Sequence, residues 1–319
     1  MEVRKFLTQF FLCLTVAFFS CGCGVEGDSD LSNKFTDKNK IKICLITMDK
    51  EVPYWEEIDK GCQKAVEESG IVDYEWLGPF ERDENMQCEC IDKAVADGVK
   101  VILISAVPGE TVNVALEKAG KAGVKIIYVD NAAKYAGVVS LMTDNENAGK
   151  TAGQTMLAAL QKAGIKSGTV GIISNSPDML NTSLRDRGFR QAFQGSGFVV
   201  APTIYASGNP NVVMDSVKEH PDYVGFFGAN QTSTLLIGEQ VKNSAKKQIV
   251  VGFDTAEKTL QLIKDGAIYA TMKQNTEKMG REGIEIAVKV MTGKYDDNNA
   301  VIDTGVTVIT KDNLSQIEN

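Results

Sequence analysis

One histidine in 319 residues sets the first limit on this chain. His220 stands in a His-Pro-Asp turn, so a serine–histidine–acid set has no credible base, and no C-x-x-C pair exists to build a zinc site. Basic charge is scarce too: 34 Lys and Arg against 42 Asp and Glu leave a net charge of −8 and a pI near 5.0. Nucleic-acid recognition wants a basic face, so that class is set aside, and the acidity mainly confers solubility. The apolar run near the N-terminus, Phe6 to Phe19 behind Arg4-Lys5, is too short for a stable membrane anchor.

That run ends at Ser20-Cys21-Gly22-Cys23, so residues 1–23 read as an export signal closed by a small residue and a cysteine. The pattern resembles a bacterial lipoprotein signal, in which the cysteine is lipidated and becomes the mature N-terminus. Cys21 is the expected lipidation site and Cys23 the alternative; an ordinary cleaved signal with incidental cysteines is the competing reading. Both place the protein outside the cytoplasm, and lipidation would hold it at the membrane. Residues 24–40, mostly Gly, Asp, Ser, Asn and Lys, have little to bury and read as a flexible tether. Roughly 280 residues remain, enough for two domains of ordinary size. A hydrophobic fraction of 43% is enough for such domains to bury a core.

Of the seven cysteines, Cys13, Cys21 and Cys23 belong to the signal region. Cys44 lies in an apolar strand, Cys62 and the Cys88/Cys90 pair in helical stretches. Two residues apart on a helix, Cys88 and Cys90 point roughly 200° away from each other and cannot easily share one metal or face one core. Two readings stay open: a disulfide from Cys62 to Cys88 or Cys90, or four separate, mostly buried thiols.

Beyond Lys40 the sequence alternates regularly. Short β-rich runs occur at 41–47, 73–77, 101–105, 125–129, 169–173, 224–228 and 248–252. Helical patterns lie at 56–69, 86–96, 111–122, 145–163, 183–194, 232–242, 257–265 and 277–292. Gly70, Gly123, Gly164 and Gly266 follow helix ends, where a left-handed residue is wanted. Continuous apolar strands alternating with amphipathic helices predict an α/β fold of parallel sheets covered by helices on both faces. Such sheets bind ligands beyond the carboxyl ends of their strands. The residues there are Asp49 to Trp55, Ser105, Asp130-Asn131, Asn175 to Arg185, Asn230, Asp254 and Gln274. Rings, carboxylates, amides and one arginine suit a sugar: aromatic faces cover C–H surfaces, and the polar groups pair with hydroxyls. Each hydroxyl left unpaired in a closed site would cost about 1–3 kcal/mol.

Several ordered motifs run through the same region: Pro53-Tyr54-Trp55, Val129-Asp130-Asn131, Thr143-Asp144-Asn145 with Ala148-Gly149, Arg185-Asp186-Arg187-Gly188-Phe189, Gly228-Ala229-Asn230, Val251-Gly252-Phe253-Asp254 and Ala270-Thr271-Met272-Lys273-Gln274. On these, the chain from Ile41 to about Val308 resembles the ribose/galactose-type periplasmic sugar-binding proteins. These are substrate-binding components of ABC importers and share their fold with the effector domains of lac repressor-like regulators. The resemblance implies two Rossmann-like lobes joined by a three-segment hinge near Thr143-Asp144, Gln274-Asn275 and Ile302-Asp303. Lobe one would be 41–143 plus 275–302, lobe two 144–274 plus 303–319. It implies stacking by Tyr54 and Trp55, hydroxyl recognition by Asp130, and an opposite wall of Arg185, Asn230, Asp254 and Gln274. Asp49, Ser105, Asn131 and Asn209 are further candidates. Two departures speak against ribose itself: Asn131 stands where ribose binders carry Arg, and Ser207-Gly208-Asn209-Pro210 replaces an aromatic common in the second lobe.

The expected function is capture of a small sugar and delivery to an importer permease by a monomeric protein that performs no chemistry and needs no cofactor or metal. Aldopentoses and hexoses lead the ligand classes, ahead of inositols, nucleosides and autoinducer-2. The alternative keeps the fold but feeds a chemoreceptor or sensor kinase. A glycosidase using Asp130 and Asp254 as a carboxylate pair is a third reading, requiring about 5–9 Å between them and one raised pKa. Plainer roles compete at each position: Asp254 and Asn230 could cap helices, Arg185 could pair with Asp186 on a surface, and Asp144 reads as an N-cap. Gly149-Lys150-Thr151 is not a phosphate loop, because Asp144 occupies the place of its first glycine. Ser244 and Lys247 have the spacing of a serine–lysine motif but lack its partner motifs.

Overall fold

The computed structural model describes residues 39–296 and 298–316. The expected export signal, Cys21, Cys23 and nearly all of the expected tether lie outside the described residues. No helix among the described residues is long and apolar enough to cross a membrane.

The first lobe alternates β1 (Ile41–Ile46), α1 (Pro53–Ser69), β2 (Val72–Leu77), α2 (Glu84–Ala96), β3 (Val101–Ile104), α3 (Glu110–Lys121), β4 (Lys125–Val129) and β5 (Val139–Met142). The second runs α4 (Asn145–Lys162), β6 (Gly168–Ser174), α5 (Leu180–Ala192), β7 (Phe198–Val200), β8 (Ile204–Tyr205), α6 (Pro210–Glu219), β9 (Gly225–Gly228), α7 (Gln231–Lys242), β10 (Ile249–Phe253), α8 (Glu257–Lys264) and β11 (Ala270–Gln274). Then α9 (Thr276–Met291) and β12 (Ala300–Asp303) return to the first lobe, and β13 (Val306–Thr310) ends in the second.

The two sheets are ordered β12-β5-β4-β3-β1-β2 and β13-β11-β10-β9-β6-β7, with β8 beside β6. Every pairing is parallel except that of β13 with β11. Strand order reverses between β1 and β3 and between β6 and β9, the topological switch points where open α/β sheets leave a crevice. Central strands such as Val101-Ile102-Leu103-Ile104 are apolar throughout because helices cover both faces. Met279, Ile284 and Ala287 of α9 join the core of the first sheet, so that helix packs with the first lobe although it follows a strand of the second.

The chain passes between sheets after β5, after β11 and between β12 and β13. Asp303 is still paired with Met142 of β5, so the third passage falls at Thr304-Gly305, just past the Ile302-Asp303 step expected from the resemblance. The passages are tied together. Asp303 Oδ1 accepts from the Asp144 amide at 2.9 Å and the Gly305 amide at 2.8 Å, and Asn275 Nδ2 donates to Thr304 O at 2.9 Å.

All four glycines expected at helix ends take a left-handed φ, between 65° and 91°. The sequence reading missed the strands β5, β7, β8, β12 and β13 and the helix α6, whose Pro210 occupies the first helical turn behind the cap Asn209. Helix α1 begins at Pro53, three residues before the expected Glu56, which places Tyr54 and Trp55 on the helix. Cys44, Cys62, Cys88 and Cys90 are free thiols, without the disulfide considered for Cys62. Only the first two are buried; Cys88 and Cys90 are half-exposed, against the reading of four mostly buried thiols. Burial pushes the Cys62 thiol up to about 12, and it donates to Gly280 O at 3.4 Å.

Two helix pairs meet backbone to backbone. A Cβ on Gly61 would lie 2.0 Å from Glu277 O and one on Gly280 1.9 Å from Ile58 O, joining α1 to α9. A Cβ on Gly188 would lie 1.8 Å from Glu146 O and one on Gly149 2.0 Å from Arg185 O, joining α4 to α5. The second contact brings Arg185 beside the start of α4. Overpacking such a contact costs about 1–3 kcal/mol or more. Gly188→Ala is therefore predicted to lower the thermal midpoint by about 5 °C or more. A scanning calorimetry trace superimposable on wild type would show that the two helices do not need this approach.

Candidate functional site

The carboxyl ends of both sheets supply one polar cluster. Asp130 follows β4 and Asp254 follows β10, and the two turns match. Each residue has a left-handed backbone (φ 63° and 66°), and each amide donates at 2.9 Å to the neighbouring strand, at Leu141 O and Met272 O. Asp tolerates this conformation better than most residues, but it still carries strain. The turns aim one carboxylate from each lobe at the space between them.

Hydrogen bonds and one close oxygen–oxygen approach link these carboxylates across the passages. Ser105 Oγ donates to Asp130 Oδ2 at 3.3 Å, and Tyr54 Oη donates to Asp130 Oδ1 at 2.9 Å. Gln274, last residue of β11, donates through Nε2 to Asp254 Oδ1 at 2.9 Å. Its Oε1 accepts from Thr143 Oγ1 at 2.9 Å and lies 3.5 Å from Tyr54 Oη. Burial raises the Asp130 carboxyl above its ordinary range, against the pull of Tyr54, Arg185 and Ser105. Burial, with the charges of Asp130 and Asp254, also holds the Tyr54 phenol well above its usual range, so it stays a donor.

Arg185 lies one turn into α5 and is only 3% exposed, not on the surface, where it would have paired with Asp186. Asp186 pairs instead with Arg190. The guanidinium is fixed on three sides: Nε donates to Asn145 Oδ1 at 2.8 Å, Nη1 donates to Ala229 O at 3.1 Å, and its carbon sits 3.9 Å over the Phe253 ring. Burial lowers its pKa, opposed by Asp254, Tyr54 and Asp130. Nη2 has no hydrogen-bonded partner among the described residues. A planar fork so held presents its remaining N–H groups in one direction. Asn145 and Phe253 thus position the arginine, although the sequence reading gave neither a role. Their only signal was membership of the Thr143-Asp144-Asn145 and Phe253-Asp254 motifs.

The other candidates lie differently. Trp55 is buried in the first core, 3% exposed, and its Nε1 donates to Asp49 Oδ1 at 3.1 Å. Successive helical residues diverge by about 100°, so Trp55 turns inward where Tyr54 faces the cluster. Asp49 Oδ1 also accepts from the Glu51 and Val52 amides, both at 3.2 Å, which fixes the entry to α1. Asn209 is exposed and accepts from the Asn211 amide, capping α6. Asn230 caps α7 through Ser233 N at 2.9 Å, adjacent to the Ala229 carbonyl that holds Arg185. Asn131 shares the Asp130 turn; its side chain has no hydrogen-bonded partner among the described residues. Asp144 caps α4 as expected. Asp254 caps no helix, since α8 starts behind Ala256. No three His, Cys, Asp or Glu side chains gather as metal ligands among the described residues.

Two doubly wound lobes, three tied passages and a polar seam shared between them define a two-lobed binding protein of the kind that encloses a small ligand. The chain belongs to the family described as the periplasmic binding protein domain, which it matches over residues 43–295. It is 27% identical over 247 residues to the D-ribose/D-allose-binding protein of Pseudomonas aeruginosa, covering 72% of this chain and 76% of that one. It is 26% identical over 266 residues to the ribose import binding protein RbsB of Bacillus subtilis, covering 81% and 84%. Among solved structures it is similar to AraP, an arabinose binding protein from Geobacillus stearothermophilus, with TM-score 0.79, 28% identity and coverage of 87% and 99%. A carbohydrate transporter solute binding protein from Agrobacterium radiobacter, in complex with D-arabinose, gives TM-score 0.72, 30% identity and coverage of 88% and 97%.

The raised Asp130 pKa has a consequence for stability. The folded state keeps this proton where the unfolded chain has lost it, so the group's contribution falls as pH rises from the ordinary carboxylate value through the raised one. Unliganded Asp130→Asn is predicted to melt above wild type at pH 7, with the gap closing as pH falls toward 4. Melting curves across that range check it; a variant that melts lower at pH 7 contradicts the burial penalty.

Proposed function

We propose that this protein is an extracytoplasmic solute-binding protein that captures a small sugar between its lobes and delivers it to the permease of an ABC importer. One observation carries the reading: the chain Ser105–Asp130–Tyr54–Gln274–Asp254, with Arg185 held beside it, draws on both lobes and meets at the hinge. Two carboxylates, a fixed guanidinium and amides suit hydroxyls that both donate and accept. The named functions of the relatives point to the same ligand class. In this reading the residues act by binding, and the protein is a monomer that performs no chemistry.

The mechanism is closure. Residues 41–143 and 275–303 move as one lobe, 144–274 and the segment from Val306 as the other. A ligand touching both favours the closed form. Moving such an equilibrium from 1:99 to 99:1 takes about 5.5 kcal/mol of differential binding. A few charge-assisted hydrogen bonds, each about 1.5–3 kcal/mol, are enough. Asn131 and Asn209 stand at the two departures from the ribose-type pattern, so an aldopentose other than ribose, or a hexose, is the favoured ligand. Lipidation at Cys21 tethers the protein to the outer face of the membrane.

A thermal-shift panel of pentoses, hexoses, inositols, nucleosides and autoinducer-2 tests the function. A sugar should raise the wild-type midpoint, and Arg185→Ala and Asp254→Ala should each abolish that rise while remaining folded. Normal ligand-induced stabilisation in both variants would displace the site. For the anchor, Cys21→Ser in the full chain should move the protein from the membrane fraction to the soluble one; retention in the membrane would contradict lipidation there.

A further inference from the structure

The second passage carries an ion pair that lies outside the polar seam. Lys273, one residue before Gln274 on β11, donates through Nζ to Glu57 Oε2 of α1, and Thr276 Oγ1 at the start of α9 donates to the same oxygen. Successive strand residues point to opposite faces, so Lys273 turns away from the seam that Gln274 enters. Strand β11 belongs to the second sheet, whereas α1 and α9 pack on the first, so the half-exposed pair spans the two lobes. Two other ion pairs on α1, Lys64 with Glu277 and Glu68 with Arg281, join it to α9 and stay within the first lobe.

Glu57 is held from its own lobe. The Asn275 carboxamide, just ahead of α9, is taken up by Thr304 O at 2.9 Å and by the Thr307 hydroxyl at 2.8 Å. The first turn of α9 meets the Glu57 carboxylate instead, through Thr276, and negative charge is favourable at a helix N-terminus. Lys273 belongs to the other lobe and sits beside the passage about which that lobe turns. Rotation at Gln274-Asn275 moves its ammonium relative to a carboxylate that stays with α9. An interaction of unequal strength in two forms shifts the balance between them. We propose that the Glu57–Lys273 pair sets the unliganded balance between open and closed forms by favouring the lobe arrangement seen here. It acts through the hinge and not on the ligand, so it scales the affinity for every sugar by one factor. The proposal rests on the closure reading above. It concerns how readily the lobes close, whereas that reading concerns whether a sugar is bound.

The experiment is calorimetric titration of D-ribose, D-arabinose and D-galactose into wild type, Glu57→Gln, Lys273→Met, the double variant and Lys64→Met. Glu57→Gln keeps an acceptor for Thr276, and Lys273→Met keeps most of the side chain's length. Each of these two single variants should shift affinity about two- to fivefold, the range of a half-exposed ion pair. The shifts should share one direction and one factor across the sugars that bind. The double variant should shift no further than the larger single one, because each substitution already removes the same pair. Lys64→Met, which breaks a pair inside the first lobe, should match wild type. No shift, a factor that differs between sugars, additive shifts in the double variant, or an equal shift in Lys64→Met would each overturn the proposal. If wild type binds no sugar at all, it is the solute-binding reading that fails, and the proposal falls with it.

Discussion

A single carboxamide ties the two halves of this protein together. Gln274 ends the last parallel strand of the second sheet, where the chain is about to cross back to the first. Its amide nitrogen holds Asp254 of the second lobe, and its oxygen takes the hydroxyl of Thr143, on the first passage. The same oxygen lies beside Tyr54, which holds Asp130 of the first lobe. The two carboxylates therefore depend for their relative placement on one side chain at the hinge, and any rotation of the lobes has to work around it. The passages beneath are tied by Asp303 and Asn275, so the hinge is three linked strands and not three loose ones.

The cluster carries several costs at once. Two non-glycine residues hold left-handed backbone, a carboxyl is raised by burial, and an arginine is buried with unused donors. Each opposes folding. Their concentration at one seam, with well-packed apolar cores in both lobes, is the signature of groups arranged for a ligand. In the proposed function, a ligand with its own donors and acceptors pairs the buried carboxyl and guanidinium, and that stabilises the form that encloses it. The glycine contacts serve the same end from a distance. By letting α4 and α5 touch, they set Arg185 where Asn145, Ala229 and Phe253 can fix its fork.

Much of this was legible in the residues. Alternating apolar runs and amphipathic stretches disclosed parallel sheets, because burial on both faces leaves no polar alternation in a strand. Chain order then placed Ser105, Asp130, Asp254 and Gln274 at strand ends. What stayed hidden was orientation. Tyr54 and Trp55 look equivalent in sequence, yet the helix started by Pro53 sends one to the seam and the other to the core. Asn230, Asn209 and Asp49 carry the same groups that bind sugars, and those groups also satisfy helix and turn amides; sequence cannot tell which donor they will meet. Asn145 acts through another side chain, a role that no residue type announces. Length alone does not explain the elements left unread, since α8 is shorter than α6 and β3 no longer than β5, and both α8 and β3 were read.

The central claim is that one small ligand touches both lobes at once, through Asp130 on one side and Asp254 with Arg185 on the other. A crystal structure of the protein grown with a sugar that stabilises it, D-arabinose being the first to try, tests this directly. The account predicts density for the sugar between the sheets, with hydroxyl oxygens in hydrogen-bond contact with Asp130 Oδ2, Asp254 Oδ2 and Arg185 Nη2 together. A sugar bound elsewhere, or held by one lobe alone while the seam between Tyr54 and Gln274 stays unchanged, would contradict it.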